Sequence, residues 1–313
     1  MNFQQLTYIV ALDDHKHFSD AAFACDVTQA TLSAMVIKLE KDLGFSIFDR
    51  STKPITTTEL GLEVVARAKD ILSKKNEIDQ IGQTVPQSLS GKLSIGVIPT
   101  IANSMLRSVL PSLIAKNPNL KLTIKEITTN EIIGQLKNGS LDIGIAATPL
   151  NEKNIDEEIM FYEPMLVYGI SDKKKKFVVN DEILDEKIWL LEEGHCFRDQ
   201  VSTVCKLKEN RDDLQNLKFE GNSFETLLSM VDQFGGFTLI PELYYAGLSP
   251  GLKEKSRMFQ KPIPVREVSL LSYGPSRKDL TIQYLSAFIQ DLIEPELSTS
   301  KFQNKDLRIV GLY

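Results

Sequence analysis

Two of the three cysteines, Cys196 and Cys205, stand nine positions apart in a segment whose residue types suit thiol chemistry. The segment reads Gly194-His195-Cys196-Phe197-Arg198-Asp199-Gln200-Val201-Ser202-Thr203-Val204-Cys205. A cation near a thiol favours the thiolate, the nucleophilic form, and His195 and Arg198 are close enough in sequence to serve Cys196 in this way. Thiolate attack on a peroxide leaves a sulfenic acid, which a second thiol can condense to a disulfide. Cys205 is the candidate for that second thiol. If the whole segment is helical, nine steps of about 1.5 Å hold the two cysteines roughly 13 Å apart. A disulfide needs Cα atoms within about 7 Å, so bond formation would demand unwinding and repacking. A chemical event would then be coupled to a conformational one. Spacing alone serves equally well for two ordinary buried cysteines. A zinc site is disfavoured, because there is no CxxC pair and His195 beside Cys196 makes poor tetrahedral geometry. Cys25 falls within a short helix and is expected in a core.

The elements that would position these thiols form an alternating series. Strands are expected at Leu93–Ile98, Leu120–Ile127 and Leu141–Ala146, with helices at Leu106–Lys116 and Asn130–Lys137 between them. Such alternation implies a parallel sheet with right-handed crossovers. A second set follows, with strands near Met165–Ile170, Ile188–Leu191 and Thr238–Ile240 and a helix over Ser223–Gln233 capped by Ser223. Gly194 would end the Ile188–Leu191 strand, and Asp199 to Cys205 could continue as a helix. Near Val268–Tyr273 the chain returns to the first set, then enters a helix at Thr281–Ile293; the last dozen residues read as a frayed tail. Two α/β lobes joined by crossover strands leave a cleft, a usual place for a ligand or a sensor.

The first 58 residues differ in kind. Asn2 can cap a helix carrying Phe3, Leu6, Ile9 and Val10, Ser19 opens a second helix, and Thr28 caps a third that ends at Gly44. Helices two and three are separated by a turn of helix-turn-helix length. Phe45 to Thr58 then reads as strand, tight turn and strand, a wing whose tip carries Arg50 and Lys53 among hydroxyl side chains. On the third helix Gln29, Thr31, Ser33 and Lys38 lie away from the apolar stripe, where Gln can pair with adenine and hydroxyls can reach bases or phosphates. Beyond the wing, Val64, Ala68, Ile71 and Ile78 follow steps of four and three, the pattern of a dimerising seam interrupted by Lys75.

Bulk properties set bounds. At 313 residues the chain exceeds one small domain, and 42% hydrophobic with 25% charged residues is ordinary for a soluble globular protein. The formal charge of -6, with five Lys/Arg against seven Asp/Glu in residues 1–58, does not mark a polyanion binder, so attraction to phosphate must be local. Three cysteines are too few for a secreted disulfide scaffold. No leader-like segment and no apolar run of membrane-spanning length stands out, so a cytoplasmic protein with no membrane partner is expected. No phosphate-binding glycine loop or nucleophile elbow appears.

Taken together, these residues resemble the LysR-type transcriptional regulators. The resemblance rests on Phe18-Ser19-Asp20-Ala21-Ala22, Thr28-Gln29-Ala30-Thr31-Leu32-Ser33, Lys38-Leu39-Glu40-Lys41-Asp42-Leu43-Gly44 and Phe48-Asp49-Arg50, and extends along the chain. Gly194-His195-Cys196-Phe197-Arg198-Asp199-Gln200 with Cys205 is similar to the members that sense hydrogen peroxide, supported by Ile95-Gly96-Val97-Ile98-Pro99-Thr100, Glu163-Pro164-Met165-Leu166 and Ser223-Phe224-Glu225-Thr226-Leu227. The resemblance implies that Cys196 reacts with peroxide and that Cys205 resolves it. It also implies that Thr100, Thr129, His195, Arg198 and Asp199 shape the peroxide pocket, and that no cofactor and no metal are needed. The implied fold is an α+β multidomain chain: an N-terminal winged helix-turn-helix, a long linker helix, and a two-lobed α/β periplasmic-binding-like sensor domain. The expected boundaries are 1–58 for the winged helix-turn-helix, 59–83 for the dimerising helix, 84–91 for a linker and 92–313 for the sensor. Lobe I would span about 92–164 and 268–296, and lobe II about 165–267. Expected partners are double-stranded operator DNA, further copies of the chain as a dimer or tetramer, RNA polymerase, and a glutaredoxin or thioredoxin reductant. The chain departs from the family pattern at Ala30, where proline is usual, and at Ala34 and Ile37, where basic residues are usual. Contacts at those three positions are therefore not carried over. Two other functions fit parts of the pattern: a regulator answering a metabolite in the interlobe cleft, and a thiol enzyme that consumes peroxide. The second leaves the helix-turn-helix unexplained and lacks a further redox pair, so a non-enzymatic regulator is expected.

Overall fold

The structure, a computed structural model, describes residues 1–79, 86–170, 177–178, 187–192, 196–205, 221–274 and 280–311. Among the described residues the chain forms two compact units, one built on 1–79 with Asn138–Ser140 and the other on 86–137 and the residues from Leu141 onward.

In the first unit, α1 (Phe3–His15) starts with a reciprocal cap between Asn2 and Gln5 and buries Leu6, Ile9 and Leu12. The second helix, α2 (Phe18–Ala24), begins one residue before Ser19, and its cap position is His17, which offers no side-chain bond. Ser19 therefore sits inside the helix rather than opening it. Helix α3 (Gln29–Leu43) is capped by Thr28, whose hydroxyl accepts from the Thr31 N–H, and it stops at Gly44 in a left-handed conformation at φ 83°. Strands β1 (Phe48–Asp49) and β2 (Thr56–Thr57) pair antiparallel as the wing. Helix α4 (Glu59–Asp79) follows. Its Val65 and Ala68 are buried in the same core as Leu32, Val36 and Ile47, with Val64 partly buried against it. Ala68 thus faces its own unit rather than a seam. Leu60, Ile71 and Ile78 remain exposed, and at 100° per residue they fall within about 20° of one line along the helix.

The second unit carries a nine-stranded sheet. Its first lobe holds β3 (Gly91–Val97), α5 (Pro99–Lys116), β4 (Leu120–Glu126), α6 (Thr129–Lys137) and β5 (Ile143–Thr148). Next come β6 (Ile155–Tyr168), β7 (Phe177–Val178), α7 (Cys196–Cys205), α8 (Phe224–Phe234), β8 (Thr238–Pro241), α9 (Glu242–Ala246), α10 (Pro250–Lys253), β9 (Ser256–Phe259), β10 (Ile263–Tyr273), α11 (Leu280–Ile293) and β11 (Leu307–Ile309). The strand path is β4-β3-β5-β10-β6-β9-β7, with β8 joined to β6 and β11 to β10. β4, β3 and β5 are mutually parallel, as are the pairs β7–β9 and β10–β11, whereas β10 runs antiparallel to both β5 and β6. The sheet is therefore mixed rather than all parallel, because β6 and β10 are crossover strands that pass between the lobes. The 14 residues of β6 pair with β10 over Ile155–Pro164 and with β8 and β9 over Met165–Tyr168.

Three expectations need correction. Helix α5 begins at Pro99, not Leu106; proline's fixed φ and missing N–H suit a first helical position. Ile188 and Leu191 make isolated bridges, to Phe237 and Gly221, instead of a strand. The C-terminal residues do not fray over 307–310: β11 pairs in parallel with Ile263–Val265, and Val310 is 3% exposed within the second lobe's core. Val310 is apolar and buried in that core, a gain that outweighs the entropy of a free end.

The unit has two cores. One gathers Val97, Ile101, Ile145, Phe161, Val268, Leu285 and Cys196. The other gathers Met165, Tyr168, Phe197, Val201, Leu239, Phe259, Val310 and Cys205.

Candidate functional site

Helix α7 is one uninterrupted helix of ten residues from Cys196 to Cys205, so its two cysteines are held roughly 13 Å apart along the axis. Phe197, Gln200, Val201 and Val204 join both cysteines on its buried side. Both thiols are free. They enter different cores: Cys196 that of the first lobe and Cys205 that of the second.

At Cys196 the surroundings are polar as well as buried. The Thr129 hydroxyl, on the first residue of α6, lies 3.2 Å from Cys196 Sγ. Nearby is Arg266 of β10, with no solvent exposure. Its Nε and Nη2 reach Glu163 Oε2 at 2.8 and 2.7 Å, and its Nη1 and Nη2 donate to Thr100 Oγ1 and the Thr100 carbonyl at 3.0 and 3.1 Å. The guanidinium carbon also sits 5.2 Å from the centroid of the Phe197 ring. Glu163 uses its other oxygen to accept the Leu243 N–H at 2.9 Å. A buried charge is tolerated only when paired and hydrogen-bonded, and here the pairing is complete enough to leave a fixed cation beside the thiol.

Burial pushes the Cys196 thiol above its ordinary value, while the Thr129 bond, the Arg266 charge and a backbone bond pull it partly back; the Asp199 charge adds to the rise. The net direction is upward. Among the described groups, desolvation of the thiolate outweighs those that favour it. Among the described residues the cation that favours the thiolate is Arg266. Arg198 donates instead to the Leu191 carbonyl at 2.7 Å, tying α7 to the segment before it. Asp199 lies in the first turn of α7, and His195 falls outside the described residues. The structure thus brings Thr129 to Cys196, and Thr100 to Arg266.

Arg266 and Glu163 were missed by sequence reasoning. The available signal was a charge in the middle of an apolar strand, Ile263-Pro264-Val265-Arg266-Glu267-Val268, where an ion is buried only if another segment supplies its partner.

Cys205 is 1% exposed and lies among apolar side chains. Burial pushes its thiol up to about 12, with slight relief from the Arg308 charge. One helical face over, Gln200 Nε2 donates to the Val310 carbonyl at 3.1 Å, while Gln200 Oε1 has no partner among the described residues.

On α3, Gln29, Thr31 and Lys38 are exposed and Ser33 is half-buried, whereas Leu32, Val36 and Leu39 are buried. Thr31 Oγ1 is 2.8 Å from Thr28 Oγ1 at the cap. Arg50 is exposed and ion-paired. It pairs with Glu40 and lies over the Phe18 ring, and Glu40 also accepts the Ile47 and Phe48 N–H groups. Arg50 therefore fastens the wing to α3. Lys53 is exposed at the wing tip. Among the described residues no group of three or more His, Cys, Asp or Glu is placed to hold a metal ion, and no single helix is long and apolar enough to cross a membrane.

A winged helix-turn-helix ahead of a two-lobed α/β domain with a buried polar site is the architecture of a signal-responsive regulator. Residues 3–62 match the bacterial regulatory helix-turn-helix protein, lysR family, and residues 86–293 match the LysR substrate binding domain. The chain belongs to the LysR family. It is 33% identical over 282 residues to the hydrogen peroxide-inducible genes activator of Pectobacterium carotovorum, covering 88% of this chain and 91% of that one. It is also 33% identical over 244 residues to the HTH-type transcriptional regulator EstR of Acinetobacter baylyi, covering 77% and 79%. In structure it is similar to a full-length OxyR from Pseudomonas aeruginosa carrying a cysteine-to-aspartate substitution, with a TM-score of 0.73, 31% identity, and 93% and 98% of the two chains covered.

Proposed function

We propose that this protein is a DNA-binding transcription regulator that senses hydrogen peroxide through Cys196 and a reversible Cys196–Cys205 disulfide. The observation that carries it is the Cys196 thiol, bonded to Thr129 beside the Arg266 cation, at the far end of one helix from the only other thiol in its unit. The activators and OxyR to which the chain is similar support the same reading.

In the first step the Cys196 thiolate attacks one peroxide oxygen and the O–O bond breaks. Cys196 becomes a sulfenic acid, and hydroxide leaves to be protonated to water. In the second, the Cys205 thiolate attacks the Cys196 sulfur and displaces a second hydroxide. Two electrons pass from the two thiols to the peroxide. Hydroxyls such as those of Thr100 and Thr129 hold the peroxide, and the neighbouring cation stabilises thiolate and departing hydroxide. His195, Arg198 and Asp199 complete the pocket. Because α7 keeps the thiols roughly 13 Å apart, the disulfide requires α7 to unwind. That rebuilding changes how the sensor domains pack and repositions the DNA-binding units.

Operator DNA is held by α3 through Gln29, Thr31, Ser33 and Lys38, and by Lys53 at the wing. Arg50 acts chiefly by fixing the wing. The exposed Leu60, Ile71 and Ile78 line of α4 joins two copies, so that paired half-sites are read, and two such dimers make a tetramer. RNA polymerase is the partner at the promoter, and a cytoplasmic glutaredoxin or thioredoxin resets the disulfide. The domain limits are those expected from the sequence, 1–58, 59–83, 84–91 and 92–313. No cofactor is used, and peroxide consumption is stoichiometric rather than catalytic.

The test is non-reducing peptide mapping of the full chain before and after one equivalent of hydrogen peroxide. A peptide joining Cys196 to Cys205, lost on adding dithiothreitol and absent in Cys196→Ser, is the expected result. Free thiols with the peroxide left unconsumed would overturn the redox function and favour a metabolite-responsive regulator.

A further inference from the structure

We propose that α3 reads thymine through its C5-methyl groups, with Ile37 as the main contact and Ala30 and Ala34 admitting the close approach. This rests on the DNA-binding function proposed above and adds the chemistry of what is recognised.

Helical geometry and burial carry the inference. With Leu32, Val36 and Leu39 buried in the unit's own core, the opposite ridge of α3 must point away from the protein. At 100° per residue that ridge is Ala30, Ala34, Ile37 and Lys41, which lie within about 60° of one another. All four are exposed, Ile37 to 47%. Until its last turn the ridge offers no hydrogen-bond donor or acceptor, so its middle makes no bidentate contact with a base edge. In the major groove the one apolar feature on a base edge is the thymine C5-methyl. An isoleucine presented there buries its branched end against such methyls, and alanine at the two earlier positions keeps the helix axis close to the groove floor. Gln29, exposed at the first turn but off this ridge, can match adenine N6 and N7 elsewhere in the half-site. Lys38 and Lys41 sit towards the C-terminal end of the same surface, where cations meet phosphates. The half-site implied is rich in A·T pairs with thymines stacked along the path of the ridge.

The full-length protein is used to enrich binding sites from a library of duplexes with a random 24-base-pair core. The enriched duplex is then remade with deoxyuridine in place of thymine, which removes only the methyl groups. Wild-type affinity is expected to fall about fourfold for each contacted methyl lost. Ile37→Ala should weaken binding to the thymine duplex by a similar factor and respond less than twofold to the exchange. Because Ile37 is exposed, that variant retains the fold, and the wild-type comparison stands without it. Equal wild-type affinity for thymine and deoxyuridine duplexes would overturn the inference while leaving DNA binding intact. A library in which no duplex is enriched would overturn DNA binding itself, and the inference with it.

Discussion

The two ends of α7 differ more than their nine-residue separation suggests. Both thiols are desolvated, and burial pushes both upward. At the Cys196 end this is opposed by a hydroxyl from α6 and a guanidinium from β10, the latter held by a carboxylate from β6. At the Cys205 end the company is Val201, Val204 and Val310, with only the Arg308 charge in opposition. One short helix therefore carries a thiol with polar neighbours that oppose its desolvation and a thiol with almost none. The difference lies in what distant segments bring to each end, and in the helix itself, whose N-terminus with its free N–H groups favours a thiolate at Cys196 while its C-terminus does not at Cys205.

The comparison can be broken most severely at Arg266. Arg266→Met leaves Glu163 as an unpaired buried carboxylate, and the loss of stability in urea unfolding should be about 3–5 kcal/mol. Combining it with Glu163→Leu should recover most of that loss, less the bond to the Leu243 N–H. A double variant as unstable as the single one would mean that the ion pair is not what organises this end.

A middle-sized effect is expected at Thr129. Thr129→Val removes a hydrogen bond that favours the thiolate, so Cys196 should react with peroxide about tenfold more slowly at neutral pH, the kinetic equivalent of roughly 1.4 kcal/mol. The sign of the pH dependence follows from the upward shift. The resting form is the protonated thiol, so the rate rises with pH until the thiol's own ionisation is passed. In the variant the whole profile moves to higher pH. Stopped-flow measurement in a Cys205→Ser background isolates this step, and an unchanged profile would remove Thr129 from the site.

The smallest effect belongs at the other end. Gln200→Leu loses the bond to the Val310 carbonyl but also removes a buried oxygen that has no partner among the described residues. Stability should change by less than about 1 kcal/mol. A loss as large as that at Arg266 would erase the contrast between the two ends.

Local signals in the sequence were sufficient for much of this molecule. Caps at Asn2 and Thr28, the stop at Gly44 and the wing hairpin depend on neighbours a few residues away, and they stand where expected. The family was legible from the same stretches. The missing parts depend on tertiary partners. Nothing adjacent to Arg266 reveals that Glu163 and Thr100 will receive it, and Arg198, adjacent to Cys196, turns to a carbonyl instead. Ala68 satisfied a heptad seam, yet its inward side had a stronger claim on it. The expectation at the C-terminus failed similarly, because the largely polar stretch from Ser298 to Asp306 sets off the short, mostly apolar stretch Leu307-Arg308-Ile309-Val310, whose partners lie far away in the sequence.

That C-terminal strand has a consequence for the newly made chain. Val310 forms part of the wall around the second lobe's core, which also holds Cys205, and about a hundred residues separate the two in the order of synthesis. At about 5–20 residues per second the ribosome needs roughly five to twenty seconds to cover that interval. Through those seconds the core that encloses Cys205 lacks the part of its wall that Val310 supplies, so Cys205 is less shielded in the newly made chain than in the finished one.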